Sequence, residues 1–310
     1  MSNKKYLIFA PSYNENSGGA IVLHKLCHLL NDLGYEASLF PFFVNYEISH
    51  LGFLKSILSI FQKEKKRILK SYRLCASFNT PVIKSLKDID FDEYIVVYPE
   101  IVFGNPLGAK NIVRWFLHQP GHRTGKIYYG KGELYFKFNS AIDDFYFPGS
   151  KTSDNELKII HYPLDIYYEP SVSSVRKGTA YCIRKGRNKK ILHDLNGSIN
   201  IDGKSHEEIA NIFRKVELFI SYDVYTAYSV FAVLCGSMSV VVPDENMTID
   251  DWYPNLSDRN GIAYGFSVEE INRAKKTRSK VKDYVINEEK QSKYNAQKFV
   301  FESQLFFKNT

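Results

Sequence analysis

Between Ser221 and Glu245 the chain reads SYDVYTAYSVFAVLCGSMSVVVPDE, a stretch dense in groups that hold polar ligands. A short apolar strand ends at Ser221 and Asp223 follows it. The hydroxyls of Tyr225, Thr226, Tyr228 and Ser229 crowd the start of a helix expected over about 226–235. Gly236 stops that helix, and a strand over 239–242 ends at Pro243, with Asp244 and Glu245 directly behind it. Hydroxyls beside the unpaired N–H groups of a helix start suit a phosphate or diphosphate. A plainer reading carries equal weight here: Thr226 is an N-cap, the tyrosines fill space, and Asp244 and Glu245 are solvated acids.

Upstream, a strand runs into Cys182-Ile183-Arg184-Lys185, with Lys189 and Lys190 close behind. Arg184 can meet two phosphate oxygens at once, and Lys185 or Lys189 adds a point charge. Near the N-terminus, Asn16-Ser17-Gly18-Gly19 enters a helix. Its paired glycines either let backbone N–H groups approach an anion or simply make a tight turn. Two further candidates follow strands of the first half. His118, with an ordinary pKa near 6.5, suits either general-base work or a hydrogen bond to a sugar. Glu100 reads equally as a second base or as an anchor after Pro99.

Metal chemistry has little support. His24 and His28 lie four apart on a helix but lack a partner acid. Asp88-Ile89-Asp90 stands before its hydrophobic strand, where a ligand-binding acid pair belongs after one. The four cysteines, Cys27, Cys75, Cys182 and Cys235, show no zinc spacing and read as free thiols of a reducing compartment. No metal and no bound cofactor are expected.

These groups need a scaffold that sets them at strand ends. The 310 residues suffice for two domains, and 44% hydrophobic with 24% charged residues is globular rather than disordered. Strand candidates at 6–10, 36–40, 94–98 and 112–117 alternate with a helix whose apolar positions include Leu23, Leu26, Cys27 and Leu30. A second series follows: a strand from Thr179, a short helix near 190–195, a strand over 198–202, a helix from Ser205 with Glu208 completing a capping box, a strand over 218–221, and the segment described first. Alternating strands and helices in both halves predict two doubly wound parallel sheets. The tract from Lys126 to about Ser174 breaks the alternation and holds the domain boundary. The expected division is 1–155, 156–287, and a closing helix over 288–310 that packs back on the first domain.

The net charge of +7 is too modest for a nucleic-acid binder. It is concentrated at Lys63–Arg73, six basic residues against one acid, behind the apolar LGFLKSILSIF of 51–61. The region 51–75 therefore reads as an amphipathic helix with a basic end, suited to peripheral contact with an anionic membrane or to a solvated face of its own domain. No signal peptide or spanning segment is visible, so a cytoplasmic protein is expected, with possible attachment at the inner face of the membrane.

The strand, acid, helix and CG-SVVVP series of 221–242 resembles the donor-binding segment of retaining GT-B glycosyltransferases. Asp223 stands at the family's first acidic position, and Ala232, Gly236 and Val240–Val242 match its apolar frame. Phe231, eight positions after Asp223, stands where those enzymes carry a ribose-binding glutamate. Asn16–Gly19 with its helix resembles the family's first loop, and Arg184, Lys185 and Lys189 resemble its diphosphate clamp. Tyr98–Gly121 is similar to a segment of bacterial enzymes that build lipopolysaccharide O-antigens or capsules. The resemblance implies two Rossmann-like domains facing a cleft, and a nucleotide-sugar co-substrate held by Gly18, Gly19, Arg184, Lys185, Lys189, Asp223, Tyr225, Thr226, Ser229 and Glu245. It also implies catalysis by His118 or Glu100 and a glycan or lipid-linked acceptor. Two alternatives stay open: a nucleotide-sugar epimerase on the same fold, and a non-catalytic module that binds a glycan or membrane surface.

Overall fold

The computed structural model describes residues 3–41, 72–83, 85, 87, 89–123, 125–171 and 175–308. Most of the basic amphipathic region expected at 51–75, and Asp88, lie outside them. The chain forms two compact units, Met1–His161 with Glu289–Thr310, and Tyr162–Glu288.

In the first unit, β1 (Lys5–Ala10), β2 (Ala37–Pro41), β3 (Tyr94–Pro99), β4 (Asn111–Phe116), β5 (Leu134–Lys137) and β6 (Lys151–Thr152) form one parallel sheet of order β2-β1-β3-β4-β5-β6. Side chains alternate across it with period two. Tyr6, Ile8, Ile95, Val97, Val113 and Trp115 share a core with helix α1 (Gly18–Asp32) and with the terminal helix Val281–Phe306. Leu7, Phe9, Val96, Tyr98 and Ile112 form a second core with Val102, Leu107 and Ala109. Burial on both faces is why these strands read as continuous apolar runs. Helix α1 starts where the Ser17 hydroxyl accepts the N–H of Ala20 and stops before Gly34, whose φ of 85° suits the residue after a helix end.

The tract after Lys126 does not interrupt the sheet as expected. It supplies β5 and β6, strands of four and two residues that are too short to show a period. The connections between β3 and β4 and between β4 and β5 contain no α-helix among the described residues. What holds them is Arg114, a fully buried cation in the middle of β4. Its guanidinium meets both carboxylate oxygens of Glu133 at 2.7 Å and donates to the carbonyls of Val102 (2.7 Å) and Gly104 (2.9 Å). It also lies 4.1 Å from the ring centre of Tyr129.

His24 of α1 is wholly buried and donates from Nε2 to the carbonyl of Pro11 at 2.8 Å, while its Nδ1 has no hydrogen-bond partner among the described residues. Burial lowers its pKa below the ordinary 6.5. The unfolded chain therefore takes up this proton first, and the stability that neutral His24 contributes is present above about pH 6.5 and lost as pH falls towards the folded value. Urea midpoints should fall between neutral pH and mild acid, by at most about 1.4 kcal/mol per pH unit for this group. A His24→Gln variant should show a shallower acid dependence than the wild type.

In the second unit, β7 (Thr179–Cys182), β8 (Ile199–Asn200), β9 (Leu218–Ser221), β10 (Met238–Val241) and β11 (Ile262–Tyr264) make a parallel sheet of order β11-β10-β9-β7-β8. Its helices are α2 (His206–Phe213), α3 (Tyr228–Leu234), the single turn α4 (Ile249–Trp252) and α5 (Val268–Thr277). The capping box at Ser205 and Glu208 forms as expected. The short helix expected near 190–195 does not. There the Tyr222 hydroxyl accepts the N–H of Leu192 and meets His193 Nδ1, both at 2.8 Å, so the segment is pinned as a loop. The helix expected from Thr226 starts two residues later, at Tyr228, and the terminal helix starts earlier than expected, at Val281.

Among the described residues no helix is long and apolar enough to cross a membrane. All four cysteines are free, and burial pushes the Cys182 thiol up to about 12.

Candidate functional site

In the second sheet the chain leaves β7 for its neighbour on one side and leaves β9 for the other. The loops after β7 and β9 therefore diverge at a topological switch point, the usual ligand crevice of a doubly wound sheet. Cys182 and Ser221, the last residues of those strands, are paired in register.

The first loop is built to hold a cation at that point. The backbone N–H groups of Ile183 and Arg184 both donate to Asp202 Oδ2, at 2.9 and 3.3 Å. Arg184 has φ 43°, left-handed and uncommon for a residue with a Cβ. Gly186 closes the turn on the carbonyl of Ile183 at 2.7 Å. A Cβ at Gly186 would collide with the backbone carbonyl of Tyr222, so the two loops touch only because this residue is glycine.

The second loop presents the counter-charge. Asp223 is buried, and its carboxylate accepts the N–H of Tyr225 at 3.2 Å while its carbonyl accepts the Ser221 hydroxyl at 2.6 Å. Arg184 Nε lies 3.8 Å from Asp223 Oδ2, and the guanidinium lies 5.2 Å from the ring centre of Tyr228. At 35% side-chain exposure Arg184 keeps access to solvent. Lys185, Arg187 and Lys190 are exposed on the same loop, which carries no acid between Ile183 and Lys190. The loop thus concentrates positive charge around one positioned guanidinium.

The other expected residues have more local roles. Lys189 is half-buried and ties the loop to the end of β10, with Nζ 2.6 Å from both the carbonyl of Val242 and Asp244 Oδ1. Thr226 accepts the N–H of Tyr228 at 3.3 Å, ahead of a helix whose N-cap, Ala227, has no side-chain cap. Ser229 is buried, its hydroxyl without a hydrogen-bond partner among the described residues. Tyr225 is half exposed with its ring edge towards Tyr253, and Glu245 is exposed. Phe231 is buried, stacked 4.2 Å from Tyr167 beside Phe213 and His206. An apolar aromatic core occupies the position where the resemblance calls for a glutamate, because that face of α3 points inward.

The first sheet has its own switch point between β1 and β3. Glycine at positions 18 and 19 is not required by the chain's own packing: a Cβ on Gly18 meets nothing within 4 Å, and one on Gly19 meets only Leu117 Cδ1 at 3.6 Å. The same Leu117 donates its N–H to Glu100 Oε2 at 3.0 Å. Glu100 is buried, its pKa raised by desolvation, and its carbonyl accepts the Tyr129 hydroxyl at 2.8 Å. It thereby fixes the loop that carries His118. His118 is exposed, and its ring stacks on that of His122 with centres 4.0 Å apart. Its Nδ1 accepts the N–H of Gln119 at 2.7 Å, which makes Nε2 the protonated nitrogen and the donor of the neutral ring. Gly19, Glu100 and His118 are thus brought together at Leu117, a residue with no chemical signal in the sequence, while Gly18 faces open space.

Asp90 caps the turn before β3, its carboxylate accepting the N–H of Asp92 at 3.0 Å. Among the described residues no group of three or more His, Cys, Asp or Glu is placed to hold a metal ion.

Each of the two units is a parallel-sheet α/β domain with its own Rossmann-like switch point, so the chain is a tandem of two Rossmann-like domains. No protein-family model and no curated protein matches the sequence. Among solved structures, the T4 phage glucosyltransferase BGT in complex with UDP-glucose is 8% identical with a TM-score of 0.39, over 98% of this chain and 97% of that one. The spinosyn forosaminyltransferase SpnP is 11% identical with a TM-score of 0.32, over 99% and 96%. A UDP-N-acetylglucosamine 2-epimerase homologue from Listeria monocytogenes is 10% identical with a TM-score of 0.34, over 97% and 95%. Likeness at that level carries no argument about substrate or residues.

Proposed function

We propose that the protein is a glycosyltransferase that takes a sugar from a nucleoside-diphosphate donor, and that the second domain binds the donor at its switch point. The observation that carries this reading is Arg184, held by its backbone on Asp202, seated against Asp223 and Tyr228, and surrounded by exposed Lys185 and Arg187. Sugar transfer leaves a nucleoside diphosphate with growing negative charge, and a pre-positioned guanidinium with neighbouring cations stabilises it without reorganisation. Fixed side-chain charge serves this role without a metal. Asp223 orients the guanidinium, and Tyr225 and Glu245 flank the sugar.

In the first domain, His118 aligns an oxygen of the acceptor through Nε2–H, and Glu100 holds the His118 loop. The acceptor is a growing surface polysaccharide or a lipid-linked glycan, a choice supported only by the resemblance of Tyr98–Gly121.

The test is turnover of nucleotide-sugar donors by the purified chain, with release of nucleoside diphosphate as the readout. His118→Ala should lower kcat/KM roughly tenfold, with donor affinity kept and part of the loss restored by His118→Asn, which retains a donor.

A further inference from the structure

The terminal helix Val281–Phe306 is buried on one side only. Ser292, Asn295, Ala296, Phe299, Val300 and Ser303 face inward, and Ser292 and Asn295 bond the backbone of Ile160 and Lys158 at 2.9 Å each. On the outer side, Phe301 is 74% exposed, Leu305 61% and Tyr294 51%. At about 100° per residue these three fall within roughly 40° of one another, a continuous apolar line along the helix.

That line is fringed by cations. Lys290 and Lys298 fall within about 40° of Tyr294 on the same outer stripe, Lys298 lies 4.8 Å from the ring centre of Tyr294, and Lys308 follows just past the helix end. From Asn287 to the helix end no acid shares the stripe; Asp283, in the first turn, is the one carboxylate in line with it. Glu302, beside it, is turned aside to the Ser153 hydroxyl at 2.6 Å and the Asn155 amide at 3.1 Å. Three large exposed apolar side chains in one line are a poor solvated surface. The outer face of a helix is convex, so it offers no groove for a peptide.

We propose that this stripe lies on an anionic lipid surface. Phe301 and Leu305 enter the headgroup boundary, Tyr294 sits at its edge, and the lysines extend their heads to lipid phosphates while their stems cover the apolar line. The charge pattern selects this occupant, since over 287–308 the charged residues in line with the apolar side chains are Lys290, Lys298 and Lys308, a pattern complementary to an acidic interface. The inference rests on the terminal helix alone and holds whether or not the transferase reading does.

The experiment is co-sedimentation of the full chain with phosphatidylcholine vesicles, with and without roughly a third phosphatidylglycerol. Binding is expected only to the anionic vesicles, weakening as salt is raised. Phe301→Glu with Leu305→Glu should lower the partition coefficient at least about tenfold, and Lys290→Ala and Lys298→Ala about fivefold each. Phe301, Leu305 and Lys290 are exposed and Lys298 is partly exposed, so thermal melting should stay near that of the wild type, and the lysine variants keep the test open if the charge-reversed one misfolds. Wild type that fails to sediment with anionic vesicles overturns the proposal. So does binding unchanged in both sets of variants, which would place the contact elsewhere. A wild-type dimer that the glutamate variant disperses, without lipid binding, overturns it in favour of a second copy.

Discussion

Arg184→Ala should slow sugar transfer by about 100- to 1000-fold, the usual cost of deleting one group aimed at developing charge in a preorganised site. The mechanism is specific to this side chain. Asp223, with Tyr225 N–H on one oxygen, holds the guanidinium from one side. Lys185 and Lys190 are exposed, and Lys189 is held on the Val242 carbonyl and Asp244, so none of them replaces it. Arg184→Lys should recover only a minor part, because an ammonium lacks the planar fork that meets two phosphate oxygens. The left-handed backbone at this position supplies a control, since glycine adopts φ 43° without the strain of a Cβ. Arg184→Gly should therefore be at least as stable as Arg184→Ala and equally inactive. An Arg184→Gly variant with wild-type transfer rates would remove the guanidinium from the account. Nucleoside-diphosphate release under saturating donor reads both outcomes.

Arg114→Met should cost about 3–5 kcal/mol of folding stability, read as a lower urea midpoint at unchanged slope. Glu133 would be left 1% exposed and without its counter-ion, and the carbonyls of Val102 and Gly104 would lose their donor. Replacing both members of the pair, Arg114→Met with Glu133→Leu, should recover much of the loss, because the penalty lies in the uncompensated charge. The recovery should be incomplete, since the two carbonyls remain without a donor. Those carbonyls belong to the loop that begins at Glu100, so the single variant should also disturb His118 and lower transfer in the molecules that remain folded. Equal stability of Arg114→Met and wild type would mean that the β3–β4 connection is held by something other than this cation.

Much of this architecture was legible before any coordinates. The strands at 6–10, 94–98 and 112–117 are buried on both faces and therefore apolar but for Arg114, and Ser205 with Glu208 marks a helix start by side-chain chemistry alone. β5 and β6 escaped because four and two residues are too few to show a period. The expected helix near 190–195 failed because a tyrosine far along the chain, Tyr222, claims Leu192 N–H, and no local pattern announces that.

The site divides the same way. Arg184 and Asp223 stood out as charges directly after strands, and the structure sets them 3.8 Å apart. Gly186 was passed over, since a single glycine among basic residues gives no sign that another loop's carbonyl presses on it. Arg114 did leave a signal, a lone cation inside the apolar run IVRWFL, which only a buried partner makes tolerable. Glu133, nineteen residues on, could not be paired with it from spacing. Phe231 shows the limit of resemblance: its alignment position was visible, but its burial against Tyr167 was not.

The most direct test of the central claim is thermal unfolding of the full chain in the presence of UDP-, GDP-, CMP- and dTDP-linked sugars, alongside the free nucleosides. A donor at 100 times its Kd should stabilise the protein by about 2.7 kcal/mol. The account predicts a clear upward shift with at least one nucleoside-diphosphate sugar, none with the matching nucleoside, and loss of the shift in Arg184→Ala. No shift with any donor, or a shift that Arg184→Ala leaves intact, would contradict it.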